Sequence, residues 1–429
     1  MVPLKRGETL VLTPHRIGRR GEAEAEHEGW RVRIPNAICG EAARVRITHV
    51  SRGGPVAAAE YEGPAEARHP ARRAPPCPVH DPCGGCGLQH IHEPAALEMK
   101  VAQARALLPR ARAWSPPLES PRAFGYRAKT FLLPQRRGRT LLLGARPPRG
   151  EELVDTAGCA VLRPELEALA ARTRAVLGDR VELEGKLRSA MLRCNRRGAT
   201  QLTLVHAGGP GALPALAREI GADAAFVQRH DAPGNRICSD REEETQVAGD
   251  GPIEETFGSL AIAIPPTAFC QGNPEIAEAL YRAAAGELDG PRIGELYCGA
   301  GAAGLLALVD HPDATLHGVD RSPRAIAAAR SGAARNGLAG RSRFDTTAAE
   351  DARPAWDVVL VNPPRSGCHE RVLDAIVASE AVKVVYVSCN PVTLERDAER
   401  LGWPLLSVCP ADMFPQTPHL ELLAVLRRP

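Results

Sequence analysis

Apolar and polar positions fall into distinct patterns along the chain. Residues 8–14 (ETLVLTP), 30–36 (WRVRIPN) and 43–50 (ARVRITHV) alternate apolar and polar side chains, the period of a strand with one buried and one wet face. Gly-bearing turns separate them, so residues 1–60 are expected to form a small OB-like β-barrel. From 61 to 76 the chain turns Pro-, Ala- and Arg-rich and reads as a linker. Beyond it, LEMKVAQARALL (97–108) has helical spacing, and short strands continue to residue 260. From 273 onward helices and apolar runs alternate. PEIAEALYRAAAGEL (274–288) and PRAIAAARSGAARNG (323–337) read as helices; RIGELYC (292–298), TLHGVD (315–320), DVVLVNPP (357–364) and VKVVYVSC (382–389) read as buried strands. That alternation predicts a parallel, doubly wound α/β sheet.

A chain of 429 residues is too long for one ordinary core, so two or three domains are expected. The opening MVPLKRGETL carries no secretory leader pattern, and no run of about 18 apolar residues is present to cross a membrane. A cytoplasmic location is therefore expected, where the twelve cysteines serve as core residues, metal ligands or catalytic groups rather than disulfides. The net charge of +3 points to no particular partner, but its distribution does. Residues 101–150 hold ten Arg and Lys129 against a single acid, Glu119, a net +10. Genomic base composition accounts for many arginines but not for their clustering, which fits a polyanion partner. Arg31, Arg33, Arg44 and Arg46 on the wet face of the barrel offer a second nucleic-acid surface.

Three clusters carry chemistry. In CPVHDPCGGCGLQH, Cys77, Cys83 and Cys86 stand at C-x5-C-x2-C spacing, and Cys159 is the candidate fourth ligand. Four thiolates suit a [4Fe–4S] cluster; zinc, completed by His80, His90 or His92, is the alternative. IGELYCGAGAAGL turns from a strand through Gly299 and Gly301 into a helix, which lets a ligand approach the helix N-terminus. Asp320, ending the next strand, is placed to accept hydrogen bonds from a ribose diol, as either a dinucleotide or S-adenosylmethionine (SAM) requires. The third cluster is SCNP, which sets Cys389 on a sharp turn at the end of a buried strand.

Asn362-Pro363-Pro364-Arg365 resembles the substrate loop of SAM-dependent nucleic-acid methyltransferases, which favours SAM. Taken with CPVHDPCGGCGLQH, FGYRAK, FCQGNPE, ELYCGAG, SCNP and FPQTPHLE in this order, the chain resembles the RNA uracil-5-methyltransferases over nearly its whole length, in particular the branch with a TRAM domain and a [4Fe–4S] cluster. The resemblance implies a Rossmann-like class I methyltransferase domain at 261–429, a TRAM-like OB barrel at 1–60 and a central α+β iron–sulfur domain at 61–260. It implies Cys389 as nucleophile, Glu421 as general base, Gln271, Tyr297, Asp320 and Asn362 at SAM, and Cys77, Cys83, Cys86 and Cys159 at the cluster. A monomer acting on RNA is expected, with 23S ribosomal RNA favoured and transfer RNA the nearer alternative. The rival of another class is an RNA-binding protein without SAM affinity. Departures from the family pattern gather at the SAM pocket: Ala128, Glu295, Ala302, Ala303 and Asn362 replace the usual Asn, Asp, Asn, Phe and Asp.

The chemistry explains why a thiol and a carboxylate are needed. Uracil C5 is a poor nucleophile until a thiolate adds to C6 and makes the ring an enolate. Only the thiolate adds, so the Cys389 thiol is expected below its ordinary pKa of about 8.5. After methyl transfer a base must remove the C5 proton.

Overall fold

The N-terminal alternation does fold into strands. In the computed structural model, which describes residues 4–429 except 149, 233–236, 240, 241 and 354, Thr9–Leu12, Arg16–Ile17, Ala23–His27, Trp30–Ile34, Ala43–Val50 and Val56–Pro64 form one six-stranded sheet. The inward positions Val32, Ile34, Val45 and Ile47 are buried in a small apolar core. The sheet curls enough for Thr9–Leu12 to touch Ala23–His27. Val56–Pro64 runs past residue 60, into the stretch expected to be linker. Its alanines hide the strand from a hydrophobicity count.

The arginine face of this sheet differs from expectation. Arg33 pairs with Glu22 and Glu24, and Arg46 with Glu60 and Glu62. Cross-strand carboxylates thus neutralise half of the proposed nucleic-acid surface, a pairing that only strand register reveals.

A second sheet of seven strands, in the order Val154–Asp155, Thr140–Ala145, Lys129–Arg137, Leu187–Cys194, Thr200–His206, Ala224–Arg229 and Glu244–Ala248, packs against helices Pro164–Leu177 and Leu213–Ile220. Arg136, Arg137 and Arg139 sit exposed at the tip of its Lys129–Arg137/Thr140–Ala145 hairpin; Arg149, also counted in the basic cluster, lies outside the described residues.

The third sheet has eight strands, ordered Ser342–Thr346, Thr315–Asp320, Arg292–Leu296, Val358–Val361, Lys383–Ser388, Glu421–Arg427, Leu405–Ala411 and Ala113–Trp114. The first five are parallel; Glu421–Arg427 enters antiparallel to both neighbours. Helices Pro274–Gly286, Ala302–Asp310, Pro323–Arg335, Glu370–Ala378 and Pro391–Leu401 bury their apolar faces in its two flanking cores. Two segments expected in the central unit belong here instead. Helix Glu93–Leu107 sends Leu97 and Ala104 into the core with Leu394, Ala398 and Trp403, and Ala113–Trp114 caps the sheet edge. The Glu254–Phe257/Leu260–Ala263 hairpin, which straddles the expected boundary at 261, buries Phe257 and Ile262 in the other flanking core of this sheet.

Candidate active site

In a parallel sheet, ligand-bearing residues collect at the carboxyl ends of the strands. Tyr297, Asp320, Asn362 and Cys389 each sit at or directly after such an end. Glu421 joins them from the opposite direction, because an antiparallel strand brings its first residue to the edge where its parallel neighbours finish. The register makes this explicit: Ser388 pairs with Leu422, so Cys389 and Glu421 continue past the same end of the ladder.

The Cys389 turn is fixed by its neighbours. Ser388 Oγ accepts from the Asn390 amide at 3.1 Å and donates to the Asn390 carbonyl at 3.0 Å. The Asn390 side chain caps helix Pro391–Leu401 by accepting from the Val392 amide and donates to the Arg365 carbonyl at 3.0 Å. That last bond ties the thiol's turn to the Asn-Pro-Pro-Arg loop.

Glu421 is buried, and burial pushes its carboxyl up to about 7 against the opposing pull of Arg365. The Cys389 thiol is also pushed up, first by burial and then by the Glu421 carboxylate, while Arg365 hydrogen-bonds it and draws it down. This corrects the expectation of a lowered thiol pKa: in the free protein burial first, and the neighbouring Glu421 second, push the Cys389 thiol up rather than down. Arg365 acts on both groups and was assigned no role from sequence, although it lies in the quoted loop.

The strand-end turn Tyr297–Gly301 is left-handed at Tyr297 (φ 58), Gly299 (φ 55) and Gly301 (φ 72). A non-glycine residue there is strained backbone, a feature that clusters at ligand sites. Asp320 accepts from the Gly299 amide at 3.0 Å and from the Ser322 amide at 2.8 Å, which fixes its carboxylate over the turn. The Tyr297 hydroxyl accepts from the His369 amide at 3.3 Å, and the Asn362 amide donates to the Leu296 carbonyl at 3.3 Å. Gln271 is buried and hydrogen-bonds Tyr281 on helix Pro274–Gly286, a tyrosine that also feels Glu295 and Glu421. Glu295, where the family has Asp, reaches beneath helix Ala302–Asp310: a Cβ on Gly304 would lie 2.4 Å from its Oε2. Burial there raises the Glu295 carboxyl to about 8. The extra methylene of Glu295 is thus matched by a glycine on the facing helix.

The four candidate cluster cysteines are brought together in a looser way. Gln89 accepts from the Cys77 amide at 3.2 Å and hydrogen-bonds the Cys86 thiol, while Cys83 and Cys159 are near enough to raise Cys86 electrostatically. Burial is the larger cause and lifts Cys86 to about 11. Among the described residues no group of three or more His, Cys, Asp or Glu is arranged to hold a metal ion. Among the described residues, too, no helix is long and apolar enough to cross a membrane.

Known proteins place this geometry in a class. Residues 260–384 match a family profile described as Methyltransferase small domain, and residues 343–428 match one described as tRNA (Uracil-5-)-methyltransferase. The fold resembles that of the Pyrococcus abyssi tRNA (uracil-54, C5)-methyltransferase, solved with S-adenosyl-L-homocysteine, with TM-score 0.79 and 23% identity over 97% of this chain and 99% of that one. The eight-stranded unit is therefore a class I methyltransferase fold. An uncharacterized RNA methyltransferase of Bacillus cereus is 30% identical over 99% of this chain and 98% of its own length. One from Gloeobacter violaceus is 31% identical over 99% and 98%. The chain belongs to the RNA (uracil-5-)-methyltransferase family.

Proposed function

We propose that this protein transfers the methyl group of SAM to C5 of a uridine in RNA, with Cys389 as the nucleophile and Glu421 as the base. The observation that carries this reading is the pairing of a thiol and a buried carboxyl at one sheet edge with Arg365 acting on both. The Cys389 thiolate adds to C6, forming the S–C6 bond and shifting the C5=C6 pair toward O4 as an enolate. C5 then takes the methyl group, and the broken C–S pair stays on the donor sulfur. Glu421 accepts the C5 proton, C5=C6 re-forms, and the thiolate leaves.

The raised thiol pKa fits this order. A sulfonium charge arriving beside Cys389 opposes the effects of burial and of Glu421, favouring thiolate once the donor is in place. Asp320 suits the ribose diol; Tyr297, Asn362 and Gln271 line the rest of the donor's site. Phe269, 68% exposed beside Gln271, offers a face on which an unstacked base can lie. The curled N-terminal sheet is the TRAM-like element in this reading, and the 129–145 hairpin tip meets phosphates. Ribosomal RNA is the favoured substrate; similarity to the P. abyssi enzyme supports transfer RNA as the second reading.

SAM should bind one-to-one in calorimetry, and a deletion strain should lose one 5-methyluridine. Mapping that base in ribosomal and transfer RNA chooses between the substrates. No heat with SAM would favour the RNA-binding rival.

We further propose that Cys77, Cys83, Cys86 and Cys159 hold a [4Fe–4S] cluster. Gln89 and the mutual electrostatics of Cys83, Cys86 and Cys159 support it. Methyl transfer needs no electron, so its part would be structural, with Cys77, Cys83 and Cys86 holding it from one segment and Cys159 from another. Protein purified without air should be brown with about four irons per chain. Cys159→Ser should lose colour, iron and soluble yield. One zinc and no iron would sink this assignment.

A further inference from the structure

The turn from Phe414 to His419 is where three parts of the chain meet beside the catalytic pair. Lys100 reaches it from helix Glu93–Leu107, donating to the Phe414 carbonyl at 3.3 Å and the His419 carbonyl at 3.4 Å. The Leu88 amide donates to the Gln416 carbonyl at 3.1 Å, docking the cysteine segment on the turn. On the far side of Leu88 lies the N-terminal sheet. Gly87 is so close to it that a Cβ would fall 2.0 Å from the Arg20 carbonyl, and only glycine fits. This seats the Gly18–Gly21 loop, and with it the exposed Arg19, above the turn.

Three arginines approach His419 from these separate elements. Arg365 Nη2 lies 3.4 Å from His419 Nε2; since arginine only donates, Nε2 accepts and the neutral ring carries its proton on Nδ1. Arg127, whose Nε donates to the Lys129 carbonyl, acts electrostatically on both His419 and the Cys86 thiol. Arg19 completes the set. Burial, then Arg365, Lys100, Arg127 and Arg19, hold His419 down at about 4. Lys100 is matched by Asp412, but among the described residues Arg19, Arg127 and Arg365 have no ion-pair partner. Acids answer arginines elsewhere on the N-terminal sheet, as at Arg33 and Arg46, whereas Arg19 in the Gly18–Gly21 loop has no acid within ion-pair distance among the described residues.

We infer that Arg19, Arg127, Arg365 and the Nδ1–H of His419 form a subsite for a backbone phosphate of the RNA strand next to the target uridine. This rests on the RNA reading above and adds where the strand is gripped. A phosphate is the anion whose geometry suits converging guanidinium groups and a neutral N–H donor. Its site beside Cys389 and Glu421 is where the strand must run if the base is extruded into the pocket. The N-terminal sheet thereby contributes a side chain to the catalytic mouth as well as remote affinity.

Arg19 tests this, because it is exposed and takes no part in the chemistry. The probe is a hairpin RNA whose loop holds a single uridine, studied by fluorescence anisotropy against salt with the full-length protein. Arg19→Gln should lower the slope of log affinity against log salt by about 0.7 to 0.9, one phosphate's worth. Arg19→Lys should restore it, and SAM affinity and thermal stability should stay at wild-type values. A neutral methylphosphonate beside the uridine should weaken wild type yet cost Arg19→Gln nothing further. An unchanged slope in Arg19→Gln, or equal methylphosphonate losses in both proteins, overturns the subsite. The same hairpin with 5-fluorouridine reports the catalytic reading separately: adduct formation with an unchanged Arg19→Gln slope removes only the subsite. A wild-type protein that neither binds nor traps this RNA overturns both.

Discussion

Glu421→Gln is expected to stop as a covalent protein–RNA adduct that survives denaturing electrophoresis and already carries the transferred methyl. The amide leaves thiolate addition and methyl transfer possible but cannot accept the C5 proton, so the S–C6 bond stays closed. Wild type with 5-fluorouridine RNA should trap in the same way, since no removable C5 proton exists. Cys389→Ala should form no adduct and methylate nothing, while binding SAM and RNA as wild type does. Normal turnover by Glu421→Gln, or an adduct in Cys389→Ala, would assign these roles to other residues.

The same substitution has a thermodynamic signature. Burial lifts the Glu421 carboxyl from 4.5 to about 7 in the folded protein. A raised folded pKa contributes stability below 4.5 that is lost as pH rises through 7, because the folded state must then ionise a buried group. Glu421→Gln removes that loss. By pH 8 it should therefore exceed wild type by about 3 kcal/mol, and by little at pH 4, read from urea midpoints. Glu295, lifted by burial to about 8, is unchanged in both proteins and shifts their profiles equally. In the proposed mechanism the base is thus a carboxyl that the fold holds at a cost in stability.

The largest loss of stability is expected at Lys100→Met. Lys100 is almost fully buried, pairs with Asp412 and supports the Phe414 and His419 carbonyls. Removing one member of a buried pair strands the other charge, at about 3–5 kcal/mol. Lys100→Met with Asp412→Leu should recover most of the midpoint, because no charge is then left unpaired. Activity should stay low in both, since the turn carrying His419 and leading into Glu421 has lost its donor. Equal midpoints for single and double variants would show that the pair is not the cause.

Much of this was legible in the chain. The runs VVLV and VVYV are continuously apolar and bounded by turns, a pattern set by burial on both faces, and they lie in strands Val358–Val361 and Lys383–Ser388. Local order also placed Cys389 directly after its strand and Asp320 at the end of its own, because both follow from one element's length. The motifs marked Glu421, but only the antiparallel entry of Glu421–Arg427 explains why that carboxyl meets a thiol more than thirty residues earlier. What no local pattern contains is charge matching between distant segments. Glu24 and Glu60 neutralise barrel arginines, Asp412 neutralises Lys100, and Arg19 is left unanswered beside His419. The raised pKa of Cys389 belongs to the same class. Sequence determined the backbone path and the reactive groups, since periodicity and turn chemistry act over a few residues. Tertiary structure decided their ionisation and partners, because burial and Coulomb interactions depend on distances that only the packed chain defines.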